Sequence, residues 1–88
     1  MVERLVTVRN SHGIHARPAA QIVKTTAKFA SHITITRDDL EVNAKSIMGV
    51  MMLAAECGAE IMLRADGVDE TEALDALAAV IAAGFGEQ

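Results

Sequence analysis

Apolar and polar positions recur with two different periods along the chain, and the switches between them outline seven elements. Residues 2–9 form a short run rich in β-branched side chains, which predicts a strand. Asn10-Ser11-His12-Gly13 follows as a cluster of turn formers. From residue 16 to about residue 30 the spacing becomes helical. Ala16, Ala19, Ala20, Val23, Ala27 and Ala30 share one face, flanked by Ile22. Pro18 suits this helix because it lies in the first turn, where a missing N–H costs nothing.

Residues 32–37 alternate strictly, with Ile33 and Ile35 opposite Thr34 and Thr36. Asp38-Asp39 reads as a turn, and residues 40–43 alternate again, so the two runs predict a hairpin. Ser46 then stands before Ile47-Met48-Gly49-Val50-Met51-Met52-Leu53, a short apolar helix for which the serine is a natural N-cap, with Gly58 expected just past its end. Residues 60–67 predict a fourth strand, with Ile61, Leu63 and Ala65 alternating against Met62 and Arg64. Asp69-Glu70-Thr71-Glu72 opens the last helix, with Asp69 as cap and Glu72 three residues on. Leu74, Leu77, Ala78 and Ile81 form its buried stripe, Gly84 ends it, and Phe85 is placed to pack back onto Val80. The order β-α-β-β-α-β-α predicts a two-layer α+β domain, with helices on one face of a four-stranded antiparallel sheet.

Composition narrows the function classes. Eighty-eight residues make a single domain, 1–88. The chain is 51% hydrophobic but only 2% aromatic, with neither Trp nor Tyr, so it lacks the stacking platform of a single-strand nucleic-acid binder. No apolar run approaches the ~20 residues of a membrane span, and Glu3 and Arg4 interrupt any signal-peptide pattern. Cys57 is the single cysteine, so no internal disulfide can form, and a cytoplasmic monomer is the expectation. Residues 4–37 carry six basic side chains and no acidic one, whereas residues 45–88 carry two basic and eight acidic ones. The half that contains His15 is therefore locally positive within a chain of net charge −4, which favours a phosphate or an acidic protein surface.

The candidate chemistry sits in His15-Ala16-Arg17-Pro18, at the start of the first helix. A helix start attracts anions through its free N–H groups and its dipole, and repels an imidazolium. A histidine with an ordinary pKa of ~6.5 is largely neutral near pH 7 and can attack phosphorus through its bare ring nitrogen. The N–H groups around Ala16 and Arg17 then become donors to the phosphoryl dianion, and the guanidinium of Arg17 adds a charge-assisted contact. The N–P bond formed is labile, which suits a group held only to be passed on. Nothing in this chemistry needs a metal or a cofactor. Taken alone, His15 reads equally well as a capping or surface residue. His12 and His15 without a cysteine or carboxylate nearby make a poor metal pair.

The stretch from Asn10 to Ala20, centred on His15-Ala16-Arg17-Pro18-Ala19, resembles the active-site signature of HPr. HPr is the histidine-containing phosphocarrier of the bacterial phosphoenolpyruvate-dependent sugar phosphotransferase system. Lys45-Ser46-Ile47-Met48-Gly49-Val50-Met51 is similar to the family's serine site and the helix that follows it, and length and element order agree across the whole chain. The resemblance implies an open-faced β-sandwich with strand order 1-4-2-3. It implies that His15 accepts a phosphoryl group on Nδ1 from phosphorylated enzyme I and gives it to IIA components of sugar permeases, with Arg17 stabilising it. It further implies that Ser46 is a site for an HPr kinase/phosphorylase in bacteria that own one, with a transcriptional regulator as a further partner. His12 departs from the family, which usually has a small residue there.

Ile47, Met48, Met51, Met52 and Leu53 are too many apolar groups for one buried stripe on so short a helix. Exposed Ile47, Met48 and Met51, together with Ala16, Ala20 and Lys24 of the first helix, are the expected partner-binding surface, since methionine adapts to unrelated partners. Two other functions compete: a nitrogen-branch paralogue with the same chemistry, and a regulatory module acting only through phosphorylation-dependent protein binding. His15 argues against the second.

Overall fold

Isoleucine, leucine and alanine on alternate strand positions pull four strands together beneath three α-helices. The computed structural model describes residues 1–87. Its elements are β1 (Val2–Thr7), α1 (Ala16–Thr26), β2 (His32–Arg37), β3 (Leu40–Asn43), α2 (Ile47–Met52), β4 (Glu60–Asp66), α3 (Glu70–Ala82) and a closing 3₁₀ turn, Gly84–Gly86. The sheet order is β1-β4-β2-β3, antiparallel throughout. This is the predicted open-faced α+β sandwich.

Register explains which strand residues reach the core. Ile35 lies opposite both Leu63 and Val42, and Ile33 lies opposite Ala65, so these five side chains form one buried layer. Val50 and Leu53 from α2, Ala19 and Ile22 from α1, and Leu74, Leu77 and Ile81 from α3 close over them. On the same side, Arg4 of β1 reaches Asp75 of α3 at 2.7 Å, an exposed pair that contributes little.

Several boundaries differ from the sequence expectation. β1 stops at Thr7 rather than residue 9, because Val8 turns inward and pairs its N–H with the Ala59 carbonyl. α1 ends at Thr26, not near residue 30: the Thr26 hydroxyl lies 2.8 Å from the Ala44 carbonyl, and Lys28 and Phe29 form short i→i+3 bonds that unwind the helix. Its buried face is Pro18, Ala19, Ile22 and Thr26, while Ala16, Ala20, Ala27 and Ala30 are exposed. β4 ends one residue early, at Asp66. Ala73 joins the buried stripe of α3, and Ala78 packs against the core half-buried.

Helix α2 ends at Met52 with Leu53 as its C-cap, and the left-handed residue just past its end is Ala54 (φ 48°), not Gly58, which lies further along the loop. Arg37 holds that end: its Nη1 donates to the carbonyls of Leu53 (3.2 Å) and Ala54 (2.7 Å), and its Nη2 pairs with Glu56 at 2.6 Å. Asp69 is the N-cap of α3, but its side chain does not cap. Its carboxylate instead accepts from the Ala30 and Ser31 N–H groups (2.8 and 2.9 Å) and from the Ser31 hydroxyl (2.5 Å). Glu70, the first helical residue, holds the preceding turn: its Oε1 accepts the Gly67 N–H at 3.0 Å. Phe85 is buried against the core cluster, where Val80 also packs.

Candidate functional site

A chain of backbone contacts fixes where His15 stands. The loop after α2, braced by Arg37, presents the Ala55 carbonyl, which accepts the Ile14 N–H at 2.8 Å. Gly13 lies against the same segment with φ +68°, and a Cβ there would fall 2.4 Å from the Ala55 oxygen. Only glycine allows this approach. Ile14 is buried, and His15 emerges as the N-cap of α1 in extended backbone (φ −98°, ψ −163°), making no side-chain cap bond. Its carbonyl accepts the Ala19 N–H at 2.9 Å, which starts the helix. The Ala16 and Arg17 N–H groups have no carbonyl to reach within the helix, and Pro18 has none to offer. The free end of α1 therefore faces the same solvent as the imidazole.

The His15 side chain is 45% exposed, and Nδ1 makes no hydrogen bond among the described residues. Nε2 lies 3.1 Å from Glu87 Oε1. The same carboxylate oxygen accepts Asn10 Nδ2 at 2.9 Å. These hydrogen bonds, Asn10 first and His15 second, hold the Glu87 carboxyl below the usual carboxylate range. Asn10 is itself buried, and its amide also donates to the Gly13 carbonyl at 2.7 Å. The tail that carries Glu87 is tied to α1 by Gln21 Nε2, which donates to the Phe85 carbonyl at 3.0 Å. Glu87 has no precursor in the sequence reading, since 72 positions separate it from His15 and no local pattern marks it.

Arg17 is exposed, and its guanidinium makes no hydrogen bond or ion pair among the described residues, so it is free to meet an incoming anion. The His12 ring stands edge-on to His15, with centroids 6.1 Å apart. A cation on either ring would feel the other.

Ser46 occupies the N-cap of α2, and its Oγ accepts the Gly49 N–H at 3.1 Å. Beyond it the apolar residues divide sharply: Val50 and Leu53 are buried, while Ile47, Met48, Met51 and Met52 are 42–76% exposed. α1 and α2 pack side by side, and Ala16, Ala20 and Lys24 are exposed on α1. The face around His15 is thus apolar and mixed with basic groups. Cys57 is exposed, its thiol 3.7 Å from the Arg9 carbonyl.

A bare imidazole nitrogen, an unpaired guanidinium and a free helix start make a place where a phosphoryl group can be taken up and held by charge-assisted donors. Known proteins match the chain in sequence and in fold. Residues 2–83 match the family model described as the PTS HPr component phosphorylation site. The chain is 48% identical over 87 residues to the phosphocarrier protein HPr of Cupriavidus necator, covering 99% of this chain and 98% of that protein. It is 48% identical over 81 residues to the HPr-like protein Crh of Bacillus subtilis, covering 92% of this chain and 95% of that protein. The crystal structure of HPr from Thermoanaerobacter tengcongensis superposes with a TM-score of 0.96 at 46% identity, covering 100% of this chain and 99% of that one.

Proposed function

Because the chain belongs to the HPr family of phosphotransferase-system phosphocarriers, we propose that His15 accepts a phosphoryl group from phosphorylated enzyme I and hands it to IIA components of sugar permeases. The observation that carries the reading is the exposed His15 at the open start of α1, with Arg17 unpaired beside it. In the uptake step the ring's bare nitrogen forms the N–P bond as the bond to the donor's imidazole breaks, and the donor keeps that electron pair. The Ala16 and Arg17 N–H groups and the Arg17 guanidinium offset the charge of the transferred group. In the delivery step the same exchange runs toward the acceptor. The carrier acts in the cytoplasm as a monomer.

Ile47, Met48 and Met51, with Ala16, Ala20 and Lys24, form the docking face on this reading, since they are exposed on two adjacent helices, one of which starts at His15. Ser46 is the regulatory position. A phosphate on its hydroxyl would sit at a helix start, where it need not disturb the fold, and would add about two negative charges to the docking face. That charge opposes an acidic enzyme I surface. The likeness to Crh, whose solved structure is described as that of a catabolite-repression protein, favours a second reading of regulation; on it, Ser46 is modified by an HPr kinase/phosphorylase and a transcriptional regulator is the partner.

The test is incubation with labelled phosphoenolpyruvate and purified enzyme I. Acid-labile, base-stable label on the wild type and none on His15→Ala is the expected result. An unlabelled wild type overturns the reading.

A further inference from the structure

We propose that Glu87 is a positioning residue that selects the ring nitrogen of His15 which takes the phosphoryl group. The proposal rests on the phosphocarrier reading of His15.

The carboxylate lies at Nε2 and can only accept a hydrogen bond, so Nε2 must carry the ring proton. A neutral imidazole has one N–H, which leaves the lone pair on Nδ1. Nδ1 is the nitrogen without a hydrogen-bond partner among the described residues. Glu87 thus holds the ring in the tautomer with Nδ1 bare.

The carboxylate is itself held from behind. Asn10 donates one amide N–H to the Gly13 carbonyl and the other to Glu87, and it is 1% exposed. Both neighbours are acceptors, so the amide cannot turn over without setting two oxygens against each other. The cost is visible: Asn10 Oδ1 is buried with no partner. A buried polar atom without a partner calls for an explanation, and the need to keep the amide N–H groups on Gly13 and Glu87 supplies one. Gln21 holds the Phe85 carbonyl, and Phe85 (φ 58°) and Gly86 (φ 75°) both take left-handed backbone that curls the tail over the start of α1. The sequence therefore builds a line from the Gly13 turn through Asn10 and Glu87 to one nitrogen of His15.

The arrangement also serves the product. When the Nδ1 lone pair forms the N–P bond, the proton stays on Nε2 and the ring becomes cationic. The Glu87 carboxylate faces that charge from the side opposite the phosphoryl group.

A small donor, phosphoramidate, tests the assignment without enzyme I. The Nδ1 lone pair forms the new N–P bond, the donor's P–N bond breaks, and ammonia leaves with the electron pair. Nitrogen-15 spectra of ring-labelled chain report the His15 tautomer before reaction and the phosphorylated nitrogen after it. Wild type should show the Nε2–H form and the Nδ1 product. Glu87→Ala should raise the share of Nε2 product about fivefold, on the scale of one lost charge-assisted hydrogen bond at an exposed site. Glu87→Gln, whose amide oxygen still accepts Nε2–H, should keep the wild-type tautomer and product. Product ratios and tautomers unchanged in Glu87→Ala would overturn the proposal, as would an Nε2 product in the wild type. Failure of enzyme I to label the wild type would instead count against the phosphocarrier reading, and the tautomer measurement stands apart from it.

Discussion

Replacing Gly13 by alanine strikes the joint between the loop after α2 and the helix that carries His15. A non-glycine residue at φ +68° costs about 1–2 kcal/mol from its own backbone. The new Cβ would also lie 2.4 Å from the Ala55 oxygen and 2.8 Å from the Glu56 Cα. Both atoms are backbone, so neither can swing aside, and Arg37 grips the two carbonyls just before them. Relief requires the Gly13 turn to retreat. That lengthens the Ile14 N–Ala55 O bond, now 2.8 Å, and the Asn10 Nδ2–Gly13 O bond, now 2.7 Å. Each is worth about 0.5–1.5 kcal/mol net. The sum is a loss of about 2–5 kcal/mol, or roughly 10–30 °C in Tm for a domain of this size. Urea unfolding followed by circular dichroism measures it. The same variant should take label from enzyme I more slowly, because Ile14 leads directly into His15. A loss below about 0.5 kcal/mol, the range of an ordinary surface change, would refute the steric argument.

Ser46→Ala removes the only side-chain cap that α2 shows among the described residues and should cost about 1 kcal/mol in a urea titration, while leaving His15 phosphorylation intact. Asp69 is held below the usual carboxylate range by the Ser31 hydroxyl first and the Ala30 N–H second. A carboxyl depressed in the folded state stabilises above its unfolded value of ~4, and this contribution drains away as pH falls through the folded value. Urea midpoints of Asp69→Asn should therefore lie below wild type at pH 7 and approach it as pH falls through the folded value; parallel curves would contradict the assignment. Met48→Glu, at a 76% exposed position, should leave stability within about 0.5 kcal/mol yet slow transfer from enzyme I and to a IIA protein; unchanged rates would remove Met48 from the docking face.

The strands were legible because their alternation is strict: Ile33 and Ile35, and Ile61, Leu63 and Ala65, all face the core. The end of α1 was not. Alanine is tolerated on either side of a helix, so Ala27 and Ala30 extended the apparent stripe beyond the point where Thr26 turns to the Ala44 carbonyl. Asp69 has the residue type and spacing of a cap, and no local rule shows that Ser31, 38 positions earlier, claims its carboxylate. The same limit hid Glu87. His15, Arg17 and Ser46 could be found because their chemistry depends on a helix start, a local feature. The partner of Nε2 depends on how the chain's end folds back across α1.

Phosphorus and nitrogen NMR of the labelled chain locates the transferred phosphoryl group. After enzyme I and phosphoenolpyruvate, one phosphohistidine signal is expected, with nitrogen–phosphorus coupling at Nδ1 of His15 and none in His15→Ala. Phosphorylation on His12 or His32 in place of His15, or no signal at all, would contradict it.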